Sequence, residues 1–381
     1  MRQFQEALIE SIWTWLMRFQ VSSICWLIAL CAIGCTGQTS TIASPTPIAK
    51  ATSIATPTLQ ESQLLVVQAI FKNYDGPQDV CQWDSSRINC DEQGHVTYMY
   101  ATGLGLTNFP KELAQLTKLK TLSLGINNLT TLPPEIGQMT SLEELEIGEN
   151  HLTSLPPEIG QLSKLDDLRL YDNDLTSLPS EIGQLTSLHI LDLSNNKLTS
   201  LPSEFDQLSS LTELNLSGNA CRSMLPKVVR LSSLRFLSLN NCGLTSLPPQ
   251  IGEMPNLVEL NLTDNDLTNL PPEIGKLSSL KRLNVSNNNL TNLPPEIGNL
   301  SNLEEMWVVN NGLTNMPPEI GHLSKLWRLY LNNNKLTSLP PELLQLTNLR
   351  ELILDGNPIG SLSPNICNTF KDFVYPPELC P

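Results

Sequence analysis

Apolar residues recur along most of this chain on a strict 23-residue period. The stretch from Leu280 to Asn302, LKRLNVSNNNLTNLPPEIGNLSN, shows the unit. Its leading leucine returns at Leu303, Leu326 and Leu349. Backward it returns at Leu257, Leu234, Leu211, Leu188, Leu165, Leu142 and Leu119, with Val96 as the weakest copy. Twelve copies therefore run from Val96 to Leu349 with no insertion or deletion, and they are numbered here as coils one to twelve. A fixed period of this length predicts a stacked array in which each unit buries its apolar side against its neighbours.

Within a copy the pattern reads LxxLxLxxNxLTxLPPEIGxLxx. Alternation around the second and third apolar positions, as in Leu283 and Val285, predicts a short strand with both side chains pointing into the coil. Twelve such strands in parallel, ~4.8 Å apart, make a sheet ~55 Å long. The asparagine eight places after the first leucine appears ten times: Asn127, Asn150, Asn173, Asn196, Asn219, Asn265, Asn288, Asn311, Asn334 and Asn357. A backbone turning inside a coil leaves N–H and C=O groups without strand partners, and a stack of buried amides satisfies both kinds. The proline after LTxL turns the chain, and EIGxL returns it along the opposite, convex side.

These residues resemble the leucine-rich-repeat proteins, and the 23-residue LPPEIG unit is similar to their Ras-suppressor-like subgroup. The resemblance covers roughly Leu64 to the C-terminus. It implies an α/β fold, a horseshoe-shaped solenoid of twelve repeats with a parallel concave sheet and a cap at each end. It also implies a non-enzymatic role in protein–protein interaction. Plant receptors of the family carry LxGxIP, with an extra residue that this chain lacks. The segment from Asp79 to Tyr100, DVCQWDSSRINCDEQGHVTYMY, nevertheless resembles their N-terminal cap. That likeness implies a Cys81–Cys90 disulfide and Trp83 packed under the first coil.

A net charge of −15 excludes a nucleic-acid partner, which requires a Lys/Arg face, and favours a soluble monomer. The N-terminal region changes character. Val21 to Gly34 is a 14-residue apolar run behind Arg18, the length of a signal-peptide core and short of the ~20 residues of a membrane span. It ends Ala32-Ile33-Gly34-Cys35, which resembles a bacterial lipobox and implies lipidation of Cys35, with Met17 as the natural start. The other reading is an uncleaved anchor beginning near Trp13. Thr36 to Gln60 is rich in Ser, Thr, Pro and Ala and carries one charge, so it reads as a tether reaching about 25–30 Å. The expected organisation is then signal 1–35, tether 36–60, N-terminal cap 61–95, solenoid 96–362 and C-terminal cap 363–381. The localisation that follows is the cell envelope, lipid-anchored; an intracellular scaffold is the alternative if the N-terminus is no signal.

Open solenoids need their ends covered. A helix carrying Leu64, Leu65, Val67, Ile70 and Phe71 is expected to close the first coil. Cys367 and Cys380, bracketing Phe370, Phe373, Val374 and Tyr375, are expected to close the last through a disulfide. Loop entropy makes that 13-residue closure worth roughly 3 kcal/mol. Two coils depart from the pattern. In coil six Cys221 follows Asn219 and the convex part reads RSMLPKVVR; in coil seven Cys242 replaces the ladder asparagine. A Cys221–Cys242 disulfide and two buried free thiols both fit, and Arg222, Lys227 and Arg230 form a small basic patch nearby.

Subtracting the scaffold leaves the variable strand positions, which face the concave side. Coil one offers Tyr98 and Tyr100. Coils three and four are acidic, with Glu143, Glu144, Glu146, Glu149, Asp166, Asp167 and Asp172 around Arg169 and Tyr171. Such a patch steers a basic partner. Coils five to nine are small and polar, with His189, Asp192, Asn215, Asn261 and Asn284. Coils ten to twelve bring Trp307, Val309, Trp327, Arg328, Tyr330, Arg350 and Ile353, the residue types of which binding hot spots are made. These seven are the expected partner-binding residues, for a protein or, through ring stacking, an envelope glycan. Trp307 and Tyr330 occupy one mid-strand position in adjacent coils and are expected as exposed neighbours. The four histidines fall in different coils, no phosphate-binding Gly loop or DxDxDG loop appears, and no CxxC is present. No enzyme, cofactor or metal is therefore expected.

Overall fold

The computed structural model describes residues 58–72, 76–370 and 372–380. The expected signal, Cys35 and nearly all of the tether lie outside the described residues. Those that are described belong to one compact unit, Thr56–Pro381. They form an α/β leucine-rich-repeat type of solenoid, with a single open sheet along one side.

The sheet has 14 strands in chain order. β1 (Ile88–Cys90) runs antiparallel to β2 (Val96–Tyr100), the strand of coil one. β3 to β13 are three-residue parallel strands, one per coil, from Thr121–Ser123 to Glu351–Ile353. β14 (Val374–Tyr375) closes the sheet in parallel with β13. Register between coils never slips: Leu283 lies between Leu260 and Met306, each 23 residues away. The leucine frame explains this, because a one-residue slip would turn every core side chain to solvent. In coil nine Leu280, Leu283, Val285, Leu290 and Ile297 are all fully buried.

The asparagine works as its chemistry requires. Asn288 Nδ2 donates to Leu262 O at 2.9 Å in the preceding coil, and to Val285 O and Ser286 O in its own. Its Oδ1 accepts the Leu267 N–H at 2.9 Å. The residue before this asparagine adopts left-handed backbone in all twelve coils, with Gly103, Gly218 and Gly356 in three and non-glycine residues at φ +50° to +57° in nine. Asn or Asp serves in seven of those nine; Glu149 and Ile126 do not belong to the types that tolerate this region.

On the convex side the PPEIG segments form single 3-10 turns, such as Pro295–Asn299. Their glycine is a packing requirement. A Cβ on Gly160 would lie 2.6 Å from Glu181 O in the next coil. Coil five breaks this contact with Asp206, and coil six answers with a rebuilt convex segment, a short helix α2 (Leu225–Val228) following α1 of the N-terminal cap. Lys227 Nζ donates to Leu201 O at 2.6 Å, and Arg230 reaches Asp206 at 3.7 Å.

All three local cysteine pairs are disulfides: Cys81–Cys90, Cys221–Cys242 and Cys367–Cys380. Such bonds belong to oxidising compartments. The N-terminal helix α1 (Leu59–Ile70) starts with a capping box between Thr58 and Glu61, so order begins slightly before the expected boundary at 61. It buries Gln63, Val66, Val67 and Ile70, with Phe71 beyond it. Leu65 was expected in this contact and is instead 60% exposed, because helical periodicity carries it to the opposite face. Gln63 accepts the Val96 N–H at 2.6 Å and donates to Gly94 O, tying the cap to coil one. Trp83 packs edge-on against Phe71, ring centroids 4.8 Å apart. At the other end, α3 (Pro364–Phe370) buries Ile366 and Phe370, and Val374 is buried. Tyr375 was expected to cover the last coil and is 55% exposed, since strand alternation turns it away from Val374.

Ile126 identifies a strained position. It is β-branched, 53% exposed and held at φ +53°. Ile126→Asn should stabilise the protein by about 1 kcal/mol, read as a higher urea midpoint at unchanged m-value. A midpoint that stays put or falls would show that the coil has already absorbed the strain.

Candidate functional site

Strand alternation turns the leucines into the coil and leaves the intervening residues on the concave face. Because each coil repeats its neighbour's register, these residues form rows along the array. Two rows define the C-terminal third.

The mid-strand row brings Trp307, Tyr330, Ile353 and Tyr375 side by side on four consecutive strands. Trp307 and Tyr330 stack with ring centroids 5.9 Å apart and planes within 10°. They are neighbours as expected, but Tyr330 retains only 7% exposure. Stacking against Trp307 and the next coil consumes its surface. Burial and the adjacent Glu351 carboxylate push its phenol above the usual tyrosine range. Val309 and Ile353 are half-buried beside this row. Tyr375 extends it and was not anticipated; it lies 22 residues from Ile353, so the 23-residue register does not reveal it.

The neighbouring row carries Glu259, Arg282, Glu305, Arg328 and Glu351, alternating in sign at one residue per coil. Arg282 reaches Glu259 at 2.9 Å and Glu305 at 3.3 Å; Arg328 reaches Glu305 at 3.3 Å and Glu351 at 2.9 Å. The carboxylates of Glu259 and Glu305 are largely buried, which is tolerable only because each is paired. Arg328 also lies over the Trp327 ring, 4.0 Å from its centroid. Lys281 pairs with Glu304 at 2.8 Å. Arg350 remains exposed, donates to Thr347 O and Leu349 O, and lies 5.5 Å from the Phe373 centroid. Thus the seven expected residues do come together, with Arg328 already engaged. The ion ladder was readable at the same 23-residue spacing.

The N-terminal third of the face is different. Tyr171 lies across Gly148, where no Cβ would fit, and its hydroxyl donates to Glu146 at 2.9 Å. Arg169 forks onto Asp167 at 2.9 to 3.1 Å, which holds its guanidinium protonated beyond the ordinary range. Burial, with Asp172 and Glu146 nearby, raises the Glu149 carboxyl. Burial also raises Asp192, against hydrogen bonds from Ser194 and Asn215 and the charge of Arg169. The histidines make isolated pairs, His95 with Asp91, His151 with Asp174 and His189 with Asp166. Among the described residues no group of three His, Cys, Asp or Glu side chains is arranged to hold a metal, and no helix is long and apolar enough to cross a membrane.

Comparison with known families agrees with this geometry. The family described as leucine-rich repeat region matches residues 214–313, and that described as leucine rich repeat matches 117–175, 163–220 and 301–359. The chain is a leucine-rich-repeat protein. A leucine-rich-repeat protein of Leptospira interrogans is 32% identical over 79% of this chain and 98% of its own, with a TM-score of 0.49. The ectodomain of the membrane receptor kinase GASSHO1/SCHENGEN3 of Arabidopsis thaliana, solved with CASPARIAN STRIP INTEGRITY FACTOR 2, is 26% identical with a TM-score of 0.56. That match covers 82% of this chain but only 46% of the receptor chain. An internalin of Listeria monocytogenes, InlF, shares the fold at 21% identity, covering 84% of this chain and 98% of its own, with a TM-score of 0.62. No curated protein matches.

Two measurements test the electrostatics of this leucine-rich-repeat face. Glu305→Gln leaves two guanidiniums sharing a neutral amide and should cost roughly 1–2 kcal/mol, seen as a lower urea midpoint; no change would mean the ladder is solvated. For Asp192, a folded pKa above the unfolded 3.8 means the folded state holds more protons just above that pH. Stability contributed by this group then falls as pH rises through the window. Asp192→Asn should therefore raise Tm at pH 7, with the difference vanishing below about pH 3. A variant that melts lower at pH 7 would show the hydrogen bonds outweighing burial.

Proposed function

We propose that this protein is a non-enzymatic protein-binding module displayed outside the cytoplasm, gripping its partner through the concave face of coils ten to twelve and the C-terminal cap. One observation carries the reading: Trp307, Tyr330, Ile353 and Tyr375 form a continuous row over four strands. An apolar row bordered by self-paired charges is cheap to desolvate, because the ions beside it keep their partners when water leaves. Its residues are also held by stacking and ion pairs, which lowers the ordering cost of binding. The likeness to a receptor ectodomain solved with a protein factor supports the same use of the fold.

The glycan alternative is less well supported. Sugar stacking needs free ring faces, whereas Trp307 and Tyr330 face each other and Arg328 covers one face of Trp327. Three disulfides favour an extracytoplasmic site, and lipidation at Cys35 with a tether to residue 60 would hold the solenoid at a membrane surface. Palmitate labelling that survives Cys35→Ala would reject that anchor.

Cross-linking and pull-down from the native cell surface test the face. Trp307→Ala with Tyr375→Ala should reduce recovery of the partner at least tenfold, while the convex Lys276→Ala should leave it intact. Equal recovery from both variants would move the site elsewhere.

A further inference from the structure

We infer that the occupant of the concave face is an extended polypeptide segment of about ten residues, apolar at one end and rich in lysine or arginine at the other. This rests on the concave-face reading above and adds the chemical class of the partner. Three zones of one continuous surface argue for it.

The first zone is the row of Trp307, Tyr330, Ile353 and Tyr375, which takes the apolar end. Around it, the variable positions of coils nine to twelve carry four cations and four carboxylates, so this end has no net charge to select with.

The second zone lies at coils three to five. There the same positions carry eight carboxylates against the single guanidinium of Arg169. Arg169 is spent on Asp167, and Glu149 is already raised by its acidic neighbours. A cation arriving here relieves repulsion between fixed carboxylates, and no comparable field exists elsewhere along the face.

The third zone is the floor between them. Asn215, Ser238 and Asn261 sit mid-strand and are nearly fully buried although they belong to the concave side. Asn261 is 2% exposed, and its Nδ2 has no hydrogen-bond partner; neither has Asn240 Oδ1 in the adjacent coil. One donor and one acceptor are thus left over, unbonded to each other, at the bottom of the same trough. A peptide group carries a C=O and an N–H and can answer both. Only a narrow occupant reaches that floor, which favours a single extended strand over the curved surface of a globular domain. From coil four to coil eleven is seven strand spacings, about 34 Å, or about ten residues at 3.3 Å each.

The test is selection of random displayed dodecapeptides on the full chain in mild detergent. Enriched peptides should carry a Lys/Arg cluster at one end and aromatic or aliphatic residues at the other. Synthesised winners should bind at least tenfold more weakly to Trp307→Ala and to Glu144→Lys/Asp167→Lys, and severalfold more weakly to Asn261→Ala. Raising salt from 0.05 to 0.5 M on the unaltered protein should weaken them similarly, which needs no variant to fold. Winners without a basic cluster, or indifferent to salt and to the acidic variant, overturn the inference. If no linear sequence is enriched while surface pull-down still recovers a Trp307-dependent partner, the peptide inference falls and the concave-face reading stands. If pull-down is also indifferent to Trp307 and Tyr375, both fall.

Discussion

A coil of 23 residues that spends only three on a strand leaves most of its backbone outside any ladder, and one buried amide per coil resolves this. Asparagine suits the task because it offers two donors and an acceptor on a short side chain. Asn288 uses them to bond both its own coil and the one before. The bond is therefore local to the turn and also the coupling between neighbours, the nearest-neighbour term on which solenoid stability depends. The left-handed residue before each asparagine belongs to the same device. In coil two, for example, the Ile126 N–H donates to Gly148 O of the next coil at 3.0 Å.

Coil seven shows what happens when the amide is missing. A ladder asparagine at 242 would reach back 26 residues to Leu216 O, as Asn265 reaches Leu239 O. Instead Cys221 and Cys242 Sγ lie 3.3 and 3.6 Å from that carbonyl and are bonded to each other. A covalent link between coils six and seven replaces a hydrogen-bonded one. The same junction has lost its convex register, where Asp206 stands in place of glycine and α2 in place of a 3-10 turn. The disulfide thus joins the two halves of the array where both repeating contacts are interrupted.

Whatever repeats was legible in the residues alone: the twelve coils, the asparagine ladder, and the Leu and Pro that are scaffold. The end disulfides were readable from local cysteine pairing and resemblance, whereas Cys221 and Cys242 needed coordinates, since buried thiols and a disulfide fit the same letters. The alternating row from Glu259 to Glu351 was in plain view at the period but was passed over, because charges were weighed by coil and not along the array. Tyr375 was beyond reach, since the C-terminal cap leaves the register by one residue. Tyr330 was read as exposed because residue type and facing do not report stacking by a neighbour. Leu65 was misassigned because membership of a helix was used without its phase.

The same geometry constrains how such a face can work. A concave residue has no core of its own. Its neighbours above and below are the equivalent positions 23 residues away, so its surroundings are set by the row it belongs to. Trp307 is held by Tyr330, Tyr330 by Trp307 and Ile353, and Arg328 by Glu305, Glu351 and Trp327. Replacing one member therefore alters the surroundings of two coils. Rows also separate functions along the array axis, because a property needed at coil eleven does not constrain coil four. An acidic end, an amide-lined floor and an apolar end can then occupy one continuous surface on an otherwise uniform scaffold.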